Sequence, residues 1–166
     1  MNRDIMDKSD LAHYVAFRMG PQIYALPLRQ VERTVRMVAV SHVPDSPPWL
    51  LGVLDLQGRI IPVVSIRQRF NHPARDPHPD DHLLIVTAHG HHAAIVVEQV
   101  TEVLKIPAAA VKCPEEIMES TANLAGIISK EDGLILILDA EHLLGFLKTS
   151  APPNVFREAG LNCETA

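Results

Sequence analysis

The sequence predicts a mainly β protein made of two similar half-domains that share one apolar core. Three observations lead there. Short runs of β-branched and aliphatic residues recur, each stopped by turn residues. One order of strand, glycine turn, strand and short helix occurs twice. The 166 residues are 47% hydrophobic and 21% charged, enough apolar material to fill a core rather than leave the chain disordered.

The first strand is expected at His13–Met19, alternating so that Val15, Phe17 and Met19 face one way and Tyr14, Ala16 and Arg18 the other. Gly20-Pro21 turns the chain into a return strand, Gln22–Leu26. Thr34–Val40, Leu51–Leu56 and Arg59–Val64 follow, the last after a Gln57-Gly58 turn, with Pro62 marking an edge or bulge. Later strands are expected at His82–Ala88, His92–Val97, Glu102–Ile106, Leu124–Ser129 and Leu134–Leu138. Asp132-Gly133 is a strong hairpin signal because both turn positions favour positive φ; His89-Gly90 is a weaker one. Ser65–Phe70 and Asp139–Leu147 read as short helices, each opened by a residue whose side chain can accept a free backbone N–H. A third helix opens at Pro114-Glu115-Glu116, with proline first and acids near the positive end of the helix dipole.

The repeat has measurable offsets. Gly52 precedes Ser65 by 13 residues, and Gly126 precedes Asp139 by the same 13. Upstream, YVAFRMGPQIYALPLRQV (Tyr14–Val31) and LLIVTAHGHHAAIVVEQV (Leu83–Val100) both read strand, glycine turn, strand, then Gln-Val. The shift is 69 residues at the Gln-Val end and 74 at the cap, so one small insertion reconciles the halves. The expected domain is therefore 11–147, with halves at 11–70 and 82–147. They are joined by a surface linker, 71–81, that carries Pro73, Pro77 and Pro79, and flexible ends lie at 1–10 and 148–166. A half this small buries only ~60% of its unfolded surface, so two sharing a face are the stable unit. The continuous runs Ile60–Val64 and Leu134–Leu138 fit strands covered on both sides, and a charge at Leu136 is expected to unfold the protein.

Charge and chemistry exclude several classes. Fifteen basic against twenty acidic residues give a net charge of −5, too little cation for general nucleic-acid binding, and four Phe, two Tyr and one Trp make poor stacking platforms. The polar opening MNRDIMDKSD is unlike a secretion signal, and no apolar run approaches a membrane span. Cys113 and Cys163 are too few for a disulfide framework, which favours a reducing cytoplasm. No nucleophile elbow, zincin, phosphate-loop or dinucleotide motif occurs. Six of nine histidines fall between positions 72 and 92, and His89 and His91, with Asp81 or His82, could approach a metal; a solvated hairpin tip is the simpler reading. Arg29, Arg33 and Arg36 could form a basic patch for an acidic partner, and Arg59, Arg67 and Arg69 a second group.

The run LGVLDLQGRIIPVVSIRQRF (Leu51–Phe70) resembles the signature of CheW-type chemotaxis coupling domains, G-x-x-N-L-R-G-x-x-x-P-V-x-D-L-R. Three other segments agree in order: Tyr14–Val31 with that family's opening hairpin, Ala94–Leu104 with its V-D-x-V-x-x-V-L segment, and Leu124–Leu144 with its closing hairpin and helix. The resemblance implies two SH3-like five-stranded β-barrels packed on a shared core, no catalytic activity and no cofactor or metal. It also implies an adaptor that couples the cytoplasmic tips of methyl-accepting chemotaxis receptors to the regulatory domain of a CheA-type histidine kinase, recruited to membrane-bound receptor arrays. Such a protein works by holding two partners at once.

Carried over position by position, the resemblance puts the partner surface at Val31, Arg33, Gln57, Gly58 and Arg59 in the first half, and at Val97, Glu98 and Val100 in the second. Core packing is the competing role for the three valines. The chain departs from the family at polar positions. Gln57 replaces the arginine of N-L-R-G, Arg33 reverses the sign of the Val-x-Glu acid, Ser65 stands for an aspartate and Glu98 for another. Two alternatives stand beside the adaptor: a diverged interaction module for a non-chemotactic kinase or motility system, and a metal-binding protein using the histidine hairpin.

Overall fold

The computed structural model describes residues 11–67, 70, 72–88, 90–114 and 124–145. Ten strands run in chain order: β1 (Leu11–Met19), β2 (Gln22–Pro27), β3 (Val31–Arg36), β4 (Leu50–Leu56), β5 (Arg59–Val64), β6 (His82–Ala88), β7 (His91–Val97), β8 (Gln99–Pro107), β9 (Leu124–Lys130) and β10 (Gly133–Leu138). Among the described residues one α-helix, α1 (Ala140–Leu143), follows, capped by Asp139, whose Oδ1 accepts from the Glu141 N–H at 3.0 Å.

The strands form two five-stranded sheets, ordered β8-β1-β2-β10-β9 and β3-β6-β7-β5-β4. Advancing each strand of the second sheet by five positions along the chain gives the first, so the duplication holds strand for strand. Register agrees too. The parallel pair Ile137↔Ala25 of one sheet corresponds to Val63↔Ala94 of the other under the 74- and 69-residue shifts. A bulge recurs at equivalent places, between Val31 and Arg33 against β6 and at Thr101 against β1.

The boundary between halves differs from expectation. Each sheet takes two strands from one half and three from the other, so the sequence halves 11–70 and 82–147 are interleaved rather than side by side. The chain passes from the first sheet to the second between β2 and β3 and returns between β7 and β8, so the parallel pair β2–β10 joins strands from opposite ends of the domain, while β5 reaches its parallel partner β7 through the linker and β6 of its own sheet.

Three cores result. Ala16, Ala25, Leu104, Ile128, Ile135 and Ile137 fill the inside of the first sheet. Their counterparts Ile85, Ala94, Leu54, Ile61 and Val63, with Val35 packed alongside, fill the second. Between the sheets lies a shared core in which Val15, Phe17, Met19 and Leu26 meet Val64, Leu84, Val86 and Ile95, closed by Leu138 and Leu143. This accounts for the continuous apolar strands. In β10, Ile135 and Ile137 enter the first sheet's core while Leu136 and Leu138 enter the shared one. Leu136 itself is half-buried, not fully enclosed.

Gly52 and Gly126, the repeat's fixed points, sit where another chain segment crosses. A Cβ on Gly52 would lie 2.3 Å from the Ser41 carbonyl oxygen, and one on Gly126 would lie 2.4 Å from a Val111 methyl. The crossing segments are bridged at Ser41↔Val53 and Lys112↔Ile127, again equivalent positions on β4 and β9.

Some element bounds shift. The strand expected at Thr34–Val40 is Val31–Arg36, because Val31 pairs with Val86 and draws the strand back toward the Gln-Val signal. No helix begins at Ser65: Ser65 and Ile66 are irregular, with the Ser65 N–H donating to the Trp49 carbonyl and Ile66 in the shared core. The helix expected after Pro114 and both chain ends lie outside the described residues. Among the described residues no helix is long and apolar enough to cross a membrane.

Candidate interaction surface

The hairpin tip between β4 and β5 is built by local chemistry. Gln57 and Gly58 hold φ of 54° and 86°, the positive pair that a tight two-residue hairpin requires. Asp55 Oδ1 accepts the Gly58 N–H at 2.7 Å and secures the turn. Gln57 pays the steric cost of left-handed backbone that Gly58 avoids.

Around this tip the curled sheet brings together residues from β3, β5 and β7. Arg33 Nη2 donates to Gln57 Oε1 at 3.4 Å, joining β3 to the β4–β5 turn, the two open edges of the sheet. Glu32, the extra residue at the β3 bulge, accepts from Arg59 and lies 3.6 Å from Arg33. His92 completes the cluster, with Nδ1 3.1 Å from Thr87 Oγ1 and 3.2 Å from Glu32 Oε2, while Arg59 Nη1 lies 3.3 Å from Nε2. Since a guanidinium only donates, this geometry puts the ring hydrogen on Nδ1. The Arg59 hydrogen bond, with the charges of Arg59 and Arg33, holds the Glu32 carboxyl below its ordinary pKa against the opposing effect of desolvation. Beside the cluster Ile60 is 41% exposed, and Leu134, its counterpart on β10, is 53% exposed.

Arg33, Gln57, Gly58 and Arg59 thus form one surface patch with Glu32 and His92, in which Arg33 and His92 are half-buried, while the half-buried Val31 packs against the shared core. The second-half residues are placed differently. Val97 is 1% exposed and belongs to the shared core; Val100 is half-buried against it. Glu98 is a structural clamp where the chain passes from β7 to β8. Its Oε1 accepts from the Gly20 N–H and from Arg67 Nη1, both at 3.0 Å, with Arg75 Nη2 at 3.9 Å. Burial pushes the Glu98 pKa up, but the Arg67 and Gly20 hydrogen bonds and the Arg67 and Arg75 charges outweigh it, and the net shift is downward.

Two contributors had no motif to reveal them. Glu32 and His92 join the patch only because the sheet curls, and an acid-base pair at Glu32-Arg33 was the one local hint. Buried Asp81, weighed in the sequence as a metal ligand, serves instead as an anchor for the linker. It pairs with Arg75 at 2.8 Å and accepts the His78 N–H at 2.8 Å, so the segment leading into β6 is strapped down. The Arg67 expected in a basic group is spent on Glu98, and Arg69 lies outside the described residues. So does His89, and among the described residues no three His, Cys, Asp or Glu side chains gather as metal ligands.

The fold and this patch define a double SH3-like β domain that presents charged hairpin tips. The chain belongs to the CheW-like domain family, whose pattern matches residues 13–147. It is 27% identical over 139 residues to the chemotaxis protein CheW of Helicobacter pylori, covering 83% of this chain and 84% of that one. With the chemotaxis protein CheW of Bacillus subtilis it shares 24% over 132 residues, 78% of this chain and 85% of the other. Among solved structures, the scaffolding protein TtCheW of Thermoanaerobacter tengcongensis superposes with a TM-score of 0.73 at 28% identity, covering 81% of this chain and 88% of that one.

Proposed function

We propose that the chain is a non-catalytic chemotaxis adaptor that couples methyl-accepting receptors to a CheA-type histidine kinase at the cytoplasmic face of the membrane. The observation that carries this reading is the hairpin-tip patch. Arg33, Gln57, Gly58 and Arg59, four of the positions proposed for partner contact, meet Glu32 and His92 on a surface edged by Ile60, and this convergence supports the reading. Apolar exposure rimmed by charge is the composition of a protein-binding site. The duplicated sheets offer a second, related tip at β9–β10, so one small domain can hold two partners and raise their effective concentration.

The Arg33–Gln57 contact also bears on the diverged-module alternative. Two of the four departures from the family pattern, Arg33 and Gln57, fall on one touching pair, where a cation donates to an amide. The contact is kept while its charges change, the sign reversing at Arg33 and the cation disappearing at Gln57, which retunes specificity without disturbing the fold. Calorimetry against the regulatory domain of a CheA-type kinase from the same organism tests the proposal. Saturable binding, altered when Arg33→Glu is combined with Gln57→Arg, is expected. No heat at tens of micromolar, where binding weaker than about −6 kcal/mol escapes notice, would overturn the kinase-coupling reading.

A further inference from the structure

The hairpin-tip patch holds a histidine that the sheet itself does not need. His92 on β7 stands between Glu32 of the β3 bulge and Arg59 of β5, with Glu32 Oε2 3.2 Å from Nδ1 and Arg59 Nη1 3.3 Å from Nε2. Glu32 takes Arg59 Nη2 on its other oxygen, Oε1, and Arg33 lies 3.6 Å from that same atom. Thr87, the pairing partner of His92 on β6, brings an uncharged hydroxyl within 3.1 Å of Nδ1. Asp55, the acid of the adjoining turn, is occupied by the Gly58 N–H.

The duplicated tip shows that the fold does not require this cluster. Under the 69- and 74-residue shifts Thr101, Ile23 and Gly133 stand where Glu32, His92 and Arg59 stand. The β9–β10 hairpin therefore closes with no acid, imidazole or guanidinium at those positions.

The two ring nitrogens have different tasks. Nδ1 carries the hydrogen and faces acceptors, whereas Nε2 can accept from Arg59 only while it is unprotonated. Histidine is the side chain whose charge ordinarily changes between about pH 5 and pH 8. This ring is 35% exposed, so solvent protons reach it. A second proton on Nε2 sets N–H against N–H and cation against cation at Arg59. The ring meanwhile keeps Glu32, now through a charge-assisted contact. Glu32 stays anionic throughout, because its pKa is held below the ordinary carboxylate value.

We propose that His92 is a positioning residue of the interaction surface: protonation of Nε2 releases the Nη1 edge of Arg59 from the ring and offers it, beside Arg33, to an acidic partner surface. Both guanidiniums then face outward while Glu32 is held by the ring, and the surface gains one positive charge. A partner presenting carboxylates binds more tightly as pH falls. The identity of that partner rests on the adaptor reading; the release of Arg59 does not.

Two readouts test this in the full chain. NMR of the Arg59 guanidinium from pH 8 to pH 5.5 is expected to follow the titration of the His92 ring. His92→Gln flattens that response, and His91→Gln, on the opposite face of β7, preserves it. An Arg59 signal that ignores the His92 ring, or moves equally in His92→Gln, overturns the proposal. Calorimetry against the kinase regulatory domain should show affinity rising about two- to fivefold over the same range, the weight of one exposed charge pair, and a smaller rise or none with His92→Gln. An equal pH dependence in the native chain and His92→Gln overturns the proposal as well. No binding at either pH removes the coupling reading instead, and the Arg59 signal then decides the role of His92 alone.

Discussion

Replacing Glu98 with alanine removes the acceptor that ties the β1–β2 turn, the segment after β5 and the linker to the β7–β8 crossing. Its Oε1 receives the Gly20 N–H and Arg67, each at 3.0 Å, and its side chain is 22% exposed. Hydrogen bonds to a charged group contribute ~1.5–3 kcal/mol. The two share one oxygen that water partly reaches, so Glu98→Ala is expected to cost about 2–3 kcal/mol in all. At ~2–4 °C per kcal/mol for a chain of this size, Tm falls by roughly 4–12 °C. Glu98→Gln keeps an acceptor for Gly20 and loses about half as much. The pH dependence follows from the lowered pKa of the folded state. The unfolded chain binds the proton more readily, so Glu98's contribution is complete above the ordinary glutamate value of about 4.3 and fades as pH falls through the folded value. Calorimetric melting of the native chain and Glu98→Gln from pH 7 to pH 3 should show their Tm gap closing at the acid end. A gap that stays constant over that range, or no gap at pH 7, refutes the clamp.

Other perturbations separate the remaining claims. Gly52→Ala forces a Cβ onto the Ser41 carbonyl at positive φ and should destabilise by at least ~2 kcal/mol, more than Gly126→Ala, which meets a movable Val111 side chain; urea melts rank the two. Ile137→Asp should abolish a cooperative thermal transition, whereas Leu136→Asp, at a half-buried position, leaves a weakened one. Arg33→Glu with Gln57→Arg should leave stability within ~0.5 kcal/mol of the native chain, because the pair is exposed, yet shift kinase affinity measurably.

Strand positions were legible because β-branched runs end at Gly20, Gly58 and Gly133, whose positive φ the turns require. The duplication was legible through Gly52 and Gly126, which the close chain crossings make irreplaceable. What the residues could not reveal was the exchange of strands between halves, since parallel pairing of β5 with β7 leaves no local signature beyond an apolar run. Val97 illustrates the same limit at the site. Its motif position suggested contact, and only the packing of β7 against the shared core decides its burial. Arg33, Gln57 and Arg59 were legible as candidates, but their meeting with Glu32 and His92 depends on a sheet curled far enough for its edges to touch.

Coupling of receptor to kinase is measured by sedimenting receptor-bearing membranes with a CheA-type kinase in the presence and absence of the chain. Kinase is expected to follow the membranes in proportion to added chain until saturation, and Arg33→Glu with Gln57→Arg to change the amount needed. Kinase that partitions identically with and without the chain would contradict coupling.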